Sequence, residues 1–151
     1  MGPFPHNRPQ SEITAENPAG TDGFEFVEFA HPNPDDLRGL FAGMGYEKVA
    51  KHKMKDIELW QQGDITYLVN ADPGSFGACF VEEHGPCAPS MGWRVVDAEH
   101  AFRHAVENGA EPYEGGGKVL DVPAIRCIVG SLIYFIDSYH DTSPYNEEFD
   151  W

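Results

Sequence analysis

The chain has 151 residues, 41% hydrophobic and 13% aromatic, which fits one globular domain with its own core. Its 25 acidic and 10 basic residues give a formal net charge of −15, a surface that repels nucleic-acid phosphates and anionic lipid. No apolar run approaches the roughly 20 residues of a membrane span, and the start carries neither a secretory pattern nor, with His6 behind Gly2, a myristoylation signal.

Residues 1–22 are rich in Pro, Asn, Ser and Thr and lack apolar periodicity, so they read as an extended arm. Phe24–Ala30 mixes apolar and acidic residues with a period near two, which predicts a strand. A helix follows: Asn33 is placed to cap it, Pro34 to start it, and Asp35 and Asp36 to meet its positive end. Leu37, Leu40, Phe41 and Met44 form its expected buried stripe, and Gly45 its stop. Strands are predicted at Glu47–His52, Ile57–Gln61 and Ile65–Asn70, with a tight turn at Gln62-Gly63-Asp64 between the last two.

A short helix is expected over Ser75–Glu83, ending at the Gly85-Pro86 break. The pattern then repeats with a strand near Ser90–Val96 and a helix capped by Asp97, with Ala98, Ala101, Phe102, Ala105 and Val106 inward and Gly109 as its stop. Strands at Glu111–Tyr113, Ile125–Val129 and Leu132–Asp137 complete the second copy. The fold class is therefore α+β: a single domain over 23–151 made of two tandem βαβββ modules, about 23–72 and 88–140, with a short helical connection and a C-terminal tail. Curved mixed sheets with the helices outside would leave a cup between the modules, where a ligand fits.

Several residues invite a chemical reading. His100 and His104 have the spacing of two metal ligands on a helix. However, the inward stripe puts both on the solvent face, and the HExxH glutamate is missing; solvated histidines are the reading taken. His84 and Cys87 flank a proline turn without a second ligand pair, so an ordinary loop end is expected. Gly115-Gly116-Gly117-Lys118 lacks the spacing and following helix of a phosphate loop; it reads as a flexible hairpin tip, with Val119-Leu120-Asp121 beyond it as strand. Cys79, Cys87 and Cys127 are widely spaced and odd in number, which implies a reduced, cytoplasmic setting. On the first strand Phe24, Phe26 and Glu28 alternate with Glu25, Val27 and Phe29. Each face then carries apolar residues and a glutamate, so Glu28 is either a base or ligand inside the cup or a structural carboxylate.

The run Asn17-Pro-Ala-Gly-Thr-Asp-Gly-Phe-Glu-Phe-Val-Glu-Phe-Ala-His-Pro32 resembles the opening of 4-hydroxyphenylpyruvate dioxygenase, of the vicinal-oxygen-chelate superfamily. So do Ala50-Lys-His-Lys53, Gln62-Gly-Asp-Ile65, Val69-Asn70, His84-Gly-Pro86, Pro112-Tyr-Glu-Gly115, Gly130-Ser-Leu-Ile-Tyr-Phe-Ile-Asp137 and Glu148-Phe-Asp-Trp151. The resemblance implies the paired βαβββ fold, and a full-length enzyme that uses Fe(II) and O₂ to convert 4-hydroxyphenylpyruvate to homogentisate in tyrosine breakdown. It further implies that two histidines and a glutamate in a C-terminal half hold the iron, and that this chain corresponds to the N-terminal half. Superfamily ligands fall on first and last strands of modules; the matching positions here are near Phe26, Met91 and Phe135. Phenylalanine has no lone pair and a thioether is a poor Fe(II) ligand, so a hydrophobic plug is expected, with no metal, cofactor or catalytic residue on this chain.

The expected role is thus architectural: packing against the catalytic half, or against another copy of itself in a homo-oligomer. The alternative is a free-standing dimeric small-molecule-binding protein using the cup, with Glu28, Tyr67 and Trp93 as its lining; Phe26, Met91 and Phe135 complete the expected pocket wall. A third reading is a metalloenzyme using Glu28 with one or more histidines.

Overall fold

The computed structural model describes residues 9–139 and 143–151; the first eight residues of the expected arm, and 140–142, lie outside the described residues. Strand β1 runs Thr21–Ala30, starting earlier than the apolar alternation marks. Helix α1 (Pro34–Met44) follows, then β2 (Glu47–His52), β3 (Ile57–Gln62) and β4 (Ile65–Asn70). Connecting helix α2 (Phe76–His84) leads to β5 (Cys87–Val95), α3 (Ala98–Glu107), β6 (Glu111–Pro112), β7 (Ala124–Arg126) and β8 (Leu132–Ile136). A short α4 (Tyr145–Glu148) and β9 (Phe149–Asp150) come last.

The strands form one curved mixed sheet, not two, in the order β6-β7-β8-β5-β1-β4-β3-β2-β9. In each module the first strand lies parallel to the last, β1 beside β4 and β5 beside β8. β1 and β5 then pair antiparallel across the centre and join the modules.

Local chemistry sets the helix ends. Pro34 starts α1 and Gly45, at φ 92°, ends it in the left-handed region that glycine enters freely. Asn33 holds the cap position, yet its amide donates to Asp36 Oδ1 (3.1 Å) and caps no backbone N–H. Asp97 and Ser75 do cap, accepting from His100 N (2.8 Å) and Ala78 N (3.0 Å). The expected stripe on α1 is half right. Leu37 and Phe41 are buried, whereas Leu40 and Met44 remain 55% and 51% exposed. Phe41 is seated on Phe29 and Tyr67, and Leu40, about 100° away around the axis, rolls off that contact.

Register decides which side chains share a face. Val27 lies opposite both Tyr67 and Met91, and Phe29 opposite Val69; a strand period of two then puts Trp93 and Val95 on that same outer face. Helix α1 packs Leu37 and Phe41 there against Val69 and Trp60, and α3 packs Ala98 and Ala101 against Val95 and Phe135. Both long helices cover the outer face. Helix α2 departs from the expected arrangement, because Phe76 packs into the core of the opposite, inner face.

That inner face carries the main core, including Phe26, Leu59, Leu68, Tyr134 and Ile136. A register irregularity between Phe24 and Phe26 turns Glu25 and Phe26 both to the buried side. The 113–123 loop covers the face with Val119 and Leu120, and the C-terminal segment with Tyr145 and Phe149. His52 pins that segment: Nδ1 accepts from Met54 N (3.0 Å) and Lys55 N (3.1 Å), which directs Nε2–H to Glu148 Oε2 (3.2 Å).

Two loop expectations are corrected. The glycine stretch lies in the connection between paired β6 and β7 but is held against α2, where the Gly117 carbonyl accepts from Phe76 N (2.9 Å), and Val119–Asp121 is a packed loop without strand pairing. Strand β7 stops at Arg126, and Ile128–Gly130 form a 3-10 turn with Val129 at φ 53°.

Candidate functional site

The six residues expected to line a cup do not gather. Phe26 and Glu28 lie on the inner face; Tyr67, Met91, Trp93 and Phe135 lie on the outer face with α1 and α3. On β5 and β8 the inward side chains are instead Ser90, Gly92 and Tyr134, one residue out of step with Met91 and Phe135. The indole N–H of Trp93 is buried with no hydrogen-bond partner among the described residues.

Glu28 is 1% exposed. Asn70 Nδ2 donates to its Oε1 (2.7 Å) and the Ser90 hydroxyl donates to its Oε2. Gly77 of α2 makes room for this cluster, since a Cβ there would lie 2.5 Å from Glu28 Oε1. Burial pushes the Glu28 carboxyl above the usual range, against the two hydrogen bonds. Burial, and then Glu28, also raise the Cys87 thiol and the Tyr134 phenol. Asn70 and Ser90 carry no signal in the sequence beyond being polar within apolar strands.

Next along β1, Phe26 fills the midline. Gly92 faces its ring so closely that a Cβ would lie 2.5 Å from the Phe26 edge and 3.0 Å from Ile136 Cδ1. Phe26 and Tyr134 rings pack at 5.7 Å. These side chains do not fit Fe(II): Phe26 and Gly92 offer no donor atom, the Tyr134 hydroxyl accepts from Val119 N (3.1 Å), and Glu28 accepts from two protein donors. Among the described residues no three His, Cys, Asp or Glu side chains converge in a metal-holding group.

Glu25 and Arg94, both buried, form an ion pair on the inner face. Arg94 lies over the Tyr139 ring, 5.2 Å from its centroid. Beside the pair opens a cavity of about 390 Å³, lined by polar side chains of β1, β3, β4 and β5 together with Tyr145 and Trp151. Burial, followed by the charge of Glu25, drives the Tyr145 phenol well above its ordinary pKa. Its hydroxyl is sealed from solvent beside the Glu25 carboxylate.

The remaining candidates have local roles. His100, expected on the solvent face, is half-buried and donates from Nε2 to the Pro18 carbonyl (2.8 Å), tying residues ahead of β1 to α3. His104, also half-buried, stacks on it at 6.3 Å between ring centroids. His84 packs on Phe80 at 4.2 Å, and Lys118 Nζ donates to the Val122 carbonyl (2.9 Å).

Two βαβββ modules joined through their first strands define a vicinal-oxygen-chelate, glyoxalase-like domain. The chain belongs to the family of hydroxyphenylpyruvate dioxygenase (HPPD) N-terminal domains, whose model matches residues 15–150. It is 45% identical over 142 residues to hemolysin VllY of Vibrio vulnificus (strain CMCP6), covering 91% of this chain and 40% of that protein. It is 43% identical over 130 residues to the 4-hydroxyphenylpyruvate dioxygenase of Pseudomonas sp. (strain P.J. 874), covering 85% of this chain and 36% of that one. A solved xylose isomerase-like TIM barrel/4-hydroxyphenylpyruvate dioxygenase fusion protein superposes with a TM-score of 0.78 at 33% identity, over 94% of this chain and 22% of that chain. The chain thus spans about two fifths of the length of those first two relatives. Among the described residues no helix is long and apolar enough to cross a membrane.

Proposed function

We propose that this chain is the non-catalytic, architectural module pair of a 4-hydroxyphenylpyruvate dioxygenase-type protein. It packs against a catalytic half and supports oligomeric assembly in the cytoplasm. Conversion of 4-hydroxyphenylpyruvate to homogentisate by Fe(II) and O₂, a step of tyrosine catabolism, belongs on this reading to that other half.

The observation that carries the reading is the Phe26–Gly92–Tyr134 packing, which fills the inner face of the central strands with side chains that hold no metal. The partner surface has its own support on the outer face. Phe24 and Ile65 are 62% and 52% exposed and line one groove with Val27 and Tyr67. Contiguous exposed apolar side chains of this kind mark contact surfaces. Free Cys79, Cys87 and Cys127 fit a reduced compartment.

Incubating the purified chain with Fe(II), ascorbate and 4-hydroxyphenylpyruvate tests the reading. No oxygen uptake above a buffer control is expected, and sustained uptake refutes it. The polar cavity beside Arg94 favours a second reading, a free-standing dimeric small-molecule-binding protein. Melting shifts with aromatic 2-oxo acids would support it, and unchanged melting counts against it.

A further inference from the structure

The hairpin between β7 and β8 ends in a strained, apolar tip. Among the described residues Val129 is the one non-glycine residue with a positive φ, 53°. A β-branched side chain crowds its own backbone in that left-handed region, so the conformation persists only where neighbouring bonds impose it. Cys127 N–H donates to the Ser131 carbonyl (2.7 Å) and Gly130 N–H to the Cys127 carbonyl (3.1 Å). Ser131 donates to the Ile128 carbonyl from both its N–H (3.2 Å) and its hydroxyl (2.9 Å). The result is a stiff turn that presents Ile128 and Val129 to solvent, 79% and 74% exposed. We propose that this tip docks into the groove of Phe24, Val27, Ile65 and Tyr67 on a second copy of the chain. The inference rests on the oligomeric assembly proposed above and names the contact that makes it.

Strain and exposure point the same way. A solvent-facing hairpin tip ordinarily takes glycine and small polar residues. Ile128 and Val129 belong to none of the core clusters, so the fold itself gains nothing from placing two aliphatic side chains there. A tip locked before contact also loses little conformational freedom on docking. The second copy follows from what the chain leaves open. Its groove, about 250 Å³, is walled by the exposed Phe24 and Ile65 and takes an uncharged aliphatic tip. The cavity beside Arg94 is lined by polar side chains and does not. Charge narrows the choice further. At −15 two copies repel each other over most of their surface, whereas residues 127–131 carry no charged side chain. The tip cannot fill the groove of its own chain. Register pairs Leu132, just past the tip, with Ser90 on β5, and places Phe24 of the groove opposite Trp93, further along that strand. Interfaces under about 1,200 Å² are weak and transient, so a contact built on so small a tip forms at high chain concentration.

Sedimentation velocity of the full chain up to about 0.5 mM reads the assembly. The native chain should associate, and Ile128→Asp should weaken that association about tenfold with an unchanged melting temperature. Val129→Gly suits a left-handed backbone better than valine does, so its melting temperature should hold or rise while association weakens. That combination reports the contact rather than the fold. A short bismaleimide then locates the contact, with Cys79→Ser and Cys87→Ser throughout. A chain keeping Cys127, mixed with one carrying Ile65→Cys and Cys127→Ser, should give a cross-linked mixed pair, and adding Ile128→Asp to the first chain should suppress it. Native-like association in both tip variants overturns the proposal, as does the lack of a mixed cross-link at a concentration where the native chain associates. A native chain that stays monomeric throughout overturns it together with oligomeric assembly, whereas oxygen uptake bears on the non-catalytic reading alone.

Discussion

Glu28 on β1 and Ser90 on β5 are register partners across the central antiparallel pair, and the Ser90 hydroxyl donates to the Glu28 carboxylate where neither side chain meets solvent. The seam between the two modules is therefore stitched by a buried acid. Burial holds that acid above its ordinary 4.5, so the folded chain keeps the Glu28 proton to higher pH than the unfolded chain does. A raised carboxyl contributes stability that is complete below the unfolded pKa and is lost as pH rises through the folded value.

Glu28→Gln should consequently gain stability relative to the native chain as pH climbs above the ordinary carboxyl range. Urea unfolding at a series of pH values checks this. Parallel stability curves for the two proteins would show that Glu28 does not titrate differently on folding.

Gly92→Ala places a methyl against the Phe26 ring edge at 2.5 Å. Overpacking of this kind destabilises by about 1–3 kcal/mol, read as a lower urea midpoint with an unchanged slope. A midpoint equal to that of the native chain would mean that Phe26 is free to move, and the plug would lose its rigidity.

Phe24 and Phe26 stand two apart with opposite fates. Phe26→Ala empties the inner core and should cost about 3–5 kcal/mol. Phe24→Asp, at an exposed site, should leave stability within about 0.5 kcal/mol yet weaken association of the chain with its partner or itself. Sedimentation velocity distinguishes the outcomes. Unaltered assembly of a Phe24→Asp, Ile65→Asp double variant removes the outer groove as the contact.

Arg94→Met leaves Glu25 buried without its counter-charge, and should destabilise by about 3–5 kcal/mol. Adding Glu25→Gln should restore much of that loss, because the penalty lies in the orphaned charge. If the double variant is no more stable than Arg94→Met alone, the pair is not energetically coupled.

The sequence by itself determined the modules, because backbone chemistry is local. Pro34 behind Asn33, Gly45 at a left-handed position, Asp97 and Ser75 as caps, and the Gly63-Asp64 turn all act within a few residues of where they sit. Facing was not local. Both faces of β1 carry apolar residues and a glutamate, and an irregularity at Glu25–Phe26 interrupts the alternation on which any assignment depends. One residue of phase moves every later side chain to the other face, which is why Met91 and Phe135 point away from the position now held by Gly92 and Tyr134. The packing of α2 and of the 113–123 loop over the inner face, and the meeting of Arg94 with Glu25 and of Ser90 with Glu28, join residues far apart in the chain. Only the tertiary structure decided them, since burial and charge pairing depend on which strands become neighbours.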